Sequence, residues 1–252
     1  MNIKGYLNRI NAEEPDAPDL NFLNRLHSRH LYSIPFENLD IHRGKEIKLE
    51  ESSLEKKIIS GNRGGYCYEL NGMFFLLLKE LGFHPRMISA RVNNGKGGWG
   101  PEFDHLAIIV ELGDLWLADV GFGENFIEPL KFELNTVQKN LNGSYKIEQY
   151  DEEYYKLMRS PDGKEFSDEY IFTLKERKWE DFKDMNLYHQ TSPDSHFTKN
   201  IVCTIAKPDG RITLTNSKQI VTKNGKRQEI EIKDEKTFMV KLSEYFGINY
   251  KL

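Results

Sequence analysis

Only two cysteines, Cys67 and Cys203, occur in the 252 residues. So small a number excludes a disulfide framework and a thiolate zinc cluster. Long apolar runs are missing as well, none approaching the roughly 20 residues that a membrane span requires. The start, Met1-Asn2-Ile3-Lys4-Gly5, lacks the apolar core of a signal peptide. Together these absences lead us to expect a cytoplasmic protein with no membrane partner. Excess charge is also scarce: the net charge is −4 and the pI is near 6.0. That balance gives no electrostatic reason for a nucleic-acid partner and leaves a small molecule as the expected one. There is no internal repeat, low-complexity tract or floppy linker. With 38% hydrophobic and 29% charged residues, the chain can bury a real core as one large or two to three small domains.

What is present is concentrated around Arg63-Gly64-Gly65-Tyr66-Cys67-Tyr68-Glu69-Leu70-Asn71. A glycine pair leads into Cys67, and an apolar helical pattern starts directly behind it. A cysteine in the first helical turn sits at the positive end of the helix dipole beside unpaired N–H groups, which favours thiolate over thiol. The competing reading is a small buried core residue. Cys203, within Ile201-Val202-Cys203-Thr204-Ile205-Ala206, shares the inward face of a strand with Ile201 and Ile205 and reads as an inert core thiol. Cys67 is therefore the chemical candidate.

The first part of the chain reads as helical. Ile3, Leu7 and Ile10 space one short helix, and Leu20, Leu23, Leu26 and His30 another that begins after Pro18 and Asp19. Ser33 to Asp40 breaks the pattern at Pro35 and reads as an extended connector. A third helix is expected from Glu51 to Ser60, with Gly61 as its left-handed stop. Behind Cys67, Leu70, Met73, Phe74, Leu77, Leu78 and Leu81 form one buried stripe ended by Gly82. After Pro85 the period becomes two. Strands are expected at Met87–Val92, His105–Leu112, Leu115–Val120, Gln149–Tyr155 and Tyr170–Leu174, with turns at Asn142-Gly143 and Pro161-Asp162-Gly163. This reads as an antiparallel barrel or curled sheet. A helix from Lys178 to His189 and an irregular segment, Gln190–Phe197, follow. The tail holds strands near Ile201–Ala206, Arg211–Thr215 and Glu229–Ile232, with Asn224-Gly225 as a hairpin turn, and a last helix from Asp234.

A cysteine nucleophile needs a base, and the base needs a group that holds its tautomer. Among the seven histidines, His27 and His30 have an i, i+3 spacing that suits a metal, but no cysteine–carboxylate cluster accompanies them and helix packing is the expected role. His105 opens an apolar strand, and Asp119 lies near the end of the next one. An Asp between apolar strand residues is costly unless it has a buried partner. An odd loop over Leu112–Asp114 would set Glu111 opposite Leu115 and Ala107 opposite Asp119, leaving His105 and Asp119 diagonal on one face. A two-residue turn at Gly113-Asp114 would put them on opposite faces.

Arg63-Gly64-Gly65-Tyr66-Cys67-Tyr68-Glu69, Asp104-His105-Leu106 and Asp119-Val120-Gly121-Phe122-Gly123 resemble the three signature segments of the arylamine N-acetyltransferases, in the same order. Ile34-Pro35-Phe36-Glu37-Asn38-Leu39 and Ser192-Pro193-Asp194-Ser195-His196-Phe197 are similar to two further family patterns, so the resemblance covers nearly the whole chain. It implies an α+β fold with a papain-like core: an N-terminal helical bundle (1–84) carrying the nucleophile, a β-barrel (85–188) carrying His and Asp, and a C-terminal α/β lid (189–252). It also implies acetyl-CoA as donor, an arylamine or hydrazine as acceptor and no metal. Cys67 would be the acetylated nucleophile, His105 its base and Asp119 the orienting acid. Arg63 and Glu37 would support the cysteine loop. Phe36 and Phe122 would wall the arylamine pocket with Gly123 beside them, and Phe197 would touch donor or acceptor at the lid. The backbone N–H of Cys67 and one from the loop before His105 are the oxyanion donors expected.

Glycine-rich Asn93–Gly100 reads as a mobile surface loop, the sharper alternative being a gate with Trp99 as lid. A cysteine hydrolase or peptidase, a macrolactam-closing amide synthase and a non-catalytic ligand-binding relative are the alternative functions on the same core.

Overall fold

The computed structural model of the chain describes residues 1–14 and 17–249. Helices α1 (Ile3–Arg9) and α2 (Leu20–Ser33) start at Asn2 and Asp19, whose side chains accept the N–H groups of Gly5 and Phe22. Strand β1 (Phe36–Glu37) and a helical turn, α3 (Leu39–His42), follow. The predicted extended connector therefore ends at Asn38. Helix α4 (Glu51–Leu54) runs into a π-helical turn over Glu55–Ser60. Gly61 is not its left-handed stop: it stays right-handed at φ −84°, and Asn62 takes the positive φ of 52°. Asn is the non-glycine residue that best tolerates that region. Helix α5 (Cys67–Glu80) begins at the nucleophile candidate, and Gly82 leaves it at φ 83°.

Strands β2 (His84–Val92), β3 (His105–Leu112), β4 (Asp114–Ala118), β5 (Leu130–Lys131), β6 (Gln138–Asn140), β7 (Gly143–Gln149), β8 (Tyr155–Ser160) and β9 (Ser167–Phe172) form one antiparallel, nearly closed barrel sheet, ordered β5-β4-β3-β2-β9-β8-β7-β6. The strand predicted over Gln149–Tyr155 is instead the β7–β8 connection. Tyr150 and Asp151 N–H groups turn back on the Tyr154 carbonyl there. Aromatic residues that suit strands by propensity sit at this turn because Asp151 caps it, its carboxylate taking the N–H of Glu153 and of Tyr154.

A 3₁₀ turn over Trp179–Phe182 leads into α6 (Lys183–Thr191), so the helix extends into the segment predicted as irregular, within which α7 (His196–Lys199) also starts. Strands β10 (Val202–Lys207), β11 (Gly210–Thr215), β12 (Lys218–Lys223) and β13 (Lys226–Glu231) make the second sheet, ordered β1-β10-β11-β12-β13. β12 is absent from the sequence prediction. Helix α8 (Glu235–Phe246) starts at Asp234 and stops at left-handed Gly247. No helix of the described residues is long and apolar enough to cross a membrane.

β3 explains how the layers meet. Leu106, Ile108 and Val110 pack into the helical core with Met73, Phe74 and Leu77 of α5, while Ala107 and Ile109 point into the barrel core with Leu117 and Phe172. A strand buried on both faces reads as an uninterrupted apolar run rather than an alternation. A third core gathers Cys203, Ile205 and Leu214 under Leu242 and Phe246 of α8, which places Cys203 where the strand pattern predicts.

Candidate active site

The β3–β4 hairpin has the odd register that the pairing of His105 with Asp119 requires. Glu111 lies opposite Leu115 and Leu112 opposite Asp114, leaving Gly113 at the tip with φ 71°. Parity then carries His105 and Asp119 to the barrel side. His105 Nε2 is 2.8 Å from Asp119 Oδ2. A carboxylate only accepts, so Nε2 is the donor in this bond.

Asp119 is fully buried and its two oxygens are saturated. Oδ2 also receives Asn125 Nδ2 at 3.0 Å and the Tyr170 hydroxyl at 3.1 Å, and Oδ1 receives Asn71 Nδ2 at 2.8 Å and the Gly121 N–H at 3.0 Å. Burial works to raise its pKa, but the charge and hydrogen bond of His105, with the bonds from Asn71 and Gly121, hold it below the usual carboxylate range.

Cys67 stands at the start of α5, which is fixed from both ends of the preceding loop. Glu69 accepts the Tyr66 N–H at 3.1 Å, half of a capping box. The glycine pair lies against β1, with the Glu37 N–H bonded to the Gly65 carbonyl at 2.8 Å. A Cβ on Gly64 would collide with the Pro35 carbonyl, and one on Gly121 would lie 2.8 Å from Cys67 Cα. Glycine at both places lets the loop after Asp119 and the connector close on Cys67.

The first helical turn acts in the expected direction, the Tyr68 N–H favouring the thiolate, but burial opposes it. Burial first, then Asp104 and Asp119, push the Cys67 thiol well up, against the N–H groups of Leu106 and Tyr68 that pull it down. Ionisation at neutral pH therefore depends on proton transfer to a base within the site.

Cys67 and His105 line one cavity of about 650 Å³ with Phe36, Phe122, Gly123 and Phe197. Phe122 stands edge-on to His105, ring centres 5.2 Å apart, and Phe36 meets Phe197 at 6.2 Å. Gly123, at φ 89°, turns the chain past Phe36. Arg63 and Glu37 lie outside the cavity behind the cysteine loop, where Arg63 Nη2 is 2.6 Å from Glu37 Oε1 and 3.2 Å from Asp40 Oδ1. Asn93, Asn94 and Gly100 border the cavity. Trp99 does not; it packs edge-on against Tyr150 at 5.5 Å. A separate cavity of about 590 Å³ between α3 and α8 contains none of the predicted site residues. Among the described residues no group of three His, Cys, Asp or Glu is arranged to hold a metal ion.

Four side chains that hold the site escape sequence reasoning: Asn71, Asn125, Tyr170 and His27. Asn71, one turn after Cys67, carries the only readable signal, a polar residue in an apolar stripe. Its Oδ1 also receives the Val120 N–H at 2.9 Å. His27 accepts the Asp119 N–H on Nε2 at 3.0 Å while its Nδ1 bonds the Ile127 carbonyl at 2.8 Å, so it is a neutral, packed histidine rather than a metal ligand.

Burial lowers the His27 pKa from 6.5 to about 4. Its folded value lies below the unfolded one, so its contribution is present above pH 6.5 and lost as pH falls through about 4. The unfolding free energy in urea is expected to drop by about 3 kcal/mol over that window from this group. His27→Gln should flatten the slope there; an unchanged slope would assign the acid sensitivity elsewhere.

The sequence profile described as N-acetyltransferase matches residues 19–252. The chain is 32% identical over 247 residues to the arylamine N-acetyltransferase of Escherichia coli, covering 96% of this chain and 87% of that one. Its fold superposes on the arylamine N-acetyltransferase structure from Salmonella typhimurium with a TM-score of 0.92 at 30% identity, covering 98% and 90%. The Mycobacterium marinum enzyme in complex with CoA gives 0.91 at 29% identity, covering 98% and 93%. A Bacillus cereus enzyme described as having a Cys-His-Glu catalytic triad gives 0.90 at 27% identity, covering 99% and 100%. With its α+β fold and matches along nearly its whole length, the chain belongs to the arylamine N-acetyltransferase family and is an acyltransferase.

Proposed function

We propose that the protein N-acetylates arylamines and arylhydrazines with acetyl-CoA by a ping-pong mechanism through an acetyl-Cys67 thioester. The observation that carries this reading is the Asp119–His105 pair at 2.8 Å, backed by buried donors and opening on the cavity that Cys67 lines. His105 Nδ1 takes the thiol proton, and Asp119 stabilises the resulting imidazolium. The sulfur attacks the thioester carbonyl, the carbon–sulfur bond to CoA breaks, and the imidazolium proton goes to the departing CoA sulfur. In the second half the amine nitrogen attacks the acetyl carbon, His105 accepts its proton, and the Cys67 sulfur leaves. Thioester exchange is nearly balanced and the amide product lies downhill. The backbone N–H of Cys67, with one from the segment at His105, is suited to the oxyanion.

In this reading the three units, residues 1–84, 85–188 and 189–252, supply nucleophile, base pair and lid. Phe36, Phe122, Gly123 and Phe197 contact substrate, while Arg63 and Glu37 brace the cysteine loop. The CoA complex of the M. marinum relative supports the choice of donor. A peptidase, an amide synthase or a silent binding relative on this core would not pass an acetyl group from CoA to an aromatic amine.

Intact mass of the protein with acetyl-CoA is expected to show one added acetyl group, mapped by peptide sequencing to Cys67 and discharged by an arylamine. No adduct, or an adduct elsewhere, would overturn the scheme.

A further inference from the structure

One wall of the reaction cavity comes from the C-terminal sheet, and its composition follows from register. Phe36 of β1 pairs with Thr204 of β10, and Thr204 with Thr213 of β11. Val202 and Arg211 lie two residues along their strands from these partners, so all five side chains project from the same sheet face. All five line the cavity. Thr204 and Thr213 join through their hydroxyls at 2.7 Å, which leaves Arg211 as the charged group on that wall.

Among the described residues lining the cavity, Arg211 is the one arginine or lysine, and its side chain is 11% exposed. Nη1 donates to the Gly123 carbonyl and to Thr204 Oγ1 at 3.1 Å. Nε stands 3.9 Å from Glu124 Oε2, beyond hydrogen-bond reach. Nη2 donates to no described residue. Glu124 is not a dedicated counter-ion, because its Oε1 is taken by Arg159 Nη2 at 2.7 Å. Asp104, another lining carboxylate, is engaged by His189 Nε2 at 3.3 Å. The open donors on the guanidinium edge keep access to the cavity, where an incoming acceptor can meet them. The planar fork matches two oxygens of one anionic group.

We propose that Arg211 is an anion-recognition residue of the reaction cavity, binding a carboxylate or phosphate group of a substrate; the assignment rests on the acetyl-transfer reading above. Arg211 grips the carbonyl of Gly123, next in the chain to Phe122, whose ring touches His105. A carboxylate on the ring of a small acceptor fits that proximity to the reacting atoms. A phosphate of CoA carries the same chemistry from the other substrate. Glu124 lies beside the same edge and opposes either anion.

Steady-state kinetics of wild type, Arg211→Gln and Arg211→Lys tests the assignment. The acceptors are para-aminobenzoate and its uncharged counterpart para-toluidine; the donors are acetyl-CoA and the phosphate-free S-acetylpantetheine. With an acceptor carboxylate as the ligand, Arg211→Gln raises KM for para-aminobenzoate about tenfold or more relative to para-toluidine, and Arg211→Lys recovers part of the difference. Glu124→Gln then lowers KM for the acid. With a CoA phosphate as the ligand, KM rises for acetyl-CoA and stays level for S-acetylpantetheine. A purely structural role, or none, changes both acceptors and both donors alike or leaves them alone, and either result overturns the proposal. Turnover of para-toluidine reports that each variant is folded. Wild type that fails to acquire acetyl on Cys67 would bring down the transfer reading itself; a normal acetyl-enzyme with unaltered selectivity removes only the anion site.

Discussion

Asp119→Asn is expected to lower acetyl transfer by roughly 10³–10⁴-fold, the scale on which such a change acts in a nucleophile–His–Asp triad. Five donors converge on this carboxylate, three at Oδ2 and two at Oδ1. An amide offers one oxygen and one NH₂. With its oxygen toward His105, the NH₂ faces the donors of Asn71 and Gly121. With the reverse orientation it faces His105, Asn125 and Tyr170. In either case buried donors confront each other, and the imidazole loses the charge that keeps the proton on Nε2 and stabilises its protonated form. The variant should therefore lose stability too, by about 1–3 kcal/mol for each buried donor left unmatched. Single-turnover acetylation by mass, together with a urea melt, separates the two effects. A variant acetylated at the wild-type rate would exclude Asp119 as the orienting group.

Lys57→Met should unfold the protein more readily by about 3–5 kcal/mol, the cost of leaving buried charge without its partner. Lys57 Nζ is 2.8 Å from Glu69, 2.9 Å from Asp40 and 4.0 Å from Glu37, and the side chain is 8% exposed. With Lys57 removed, Arg63 still pairs with Glu37 and Asp40, while Glu69 loses the cation at 2.8 Å. Glu69 already shows the tension: burial, with Glu37 adding to it, pushes its pKa to about 7 despite the pull of Lys57. The same carboxylate holds the Tyr66 N–H that starts α5. The melting temperature is expected to fall by roughly ten degrees. Lys57→Met combined with Glu69→Gln should recover part of that loss, because it removes a charge together with its counter-charge. A single variant within about 1 kcal/mol of wild type would mean that water or relaxation screens the cluster.

These two residues mark what can and cannot be read from the chain. Asp119 is legible because a charge in an apolar strand is expensive and because loop parity is arithmetic. The α5 stripe and the β3–β4 register follow from local spacing in the same way. Lys57 lies in a lysine pair that reads as solvated helix surface; only the π-helical turn and the fold around it carry it inward beside Glu37 and Glu69. Asn71, Asn125 and Tyr170 come from three separate elements to one carboxylate, and no local pattern announces a meeting point of that kind. Strand β12 escapes because Lys218 and Lys223 bracket it with charge and its half-exposed residues give a weak alternation. Arg211 escapes for the opposite reason, since an arginine on a tail strand reads as surface until the register of β1, β10 and β11 turns it onto the cavity.

Strand β1 is two residues long, yet it is the edge of the C-terminal sheet and also the rail against which the glycine loop of Cys67 is laid. A segment made early in synthesis thus pairs on one side with nearby Gly65 and on the other with β10, far along the chain. Contacts so distant in sequence form late in folding. During translation Cys67 emerges well before β10, and a chain cut short there lacks the cavity wall that Val202 and Thr204 supply.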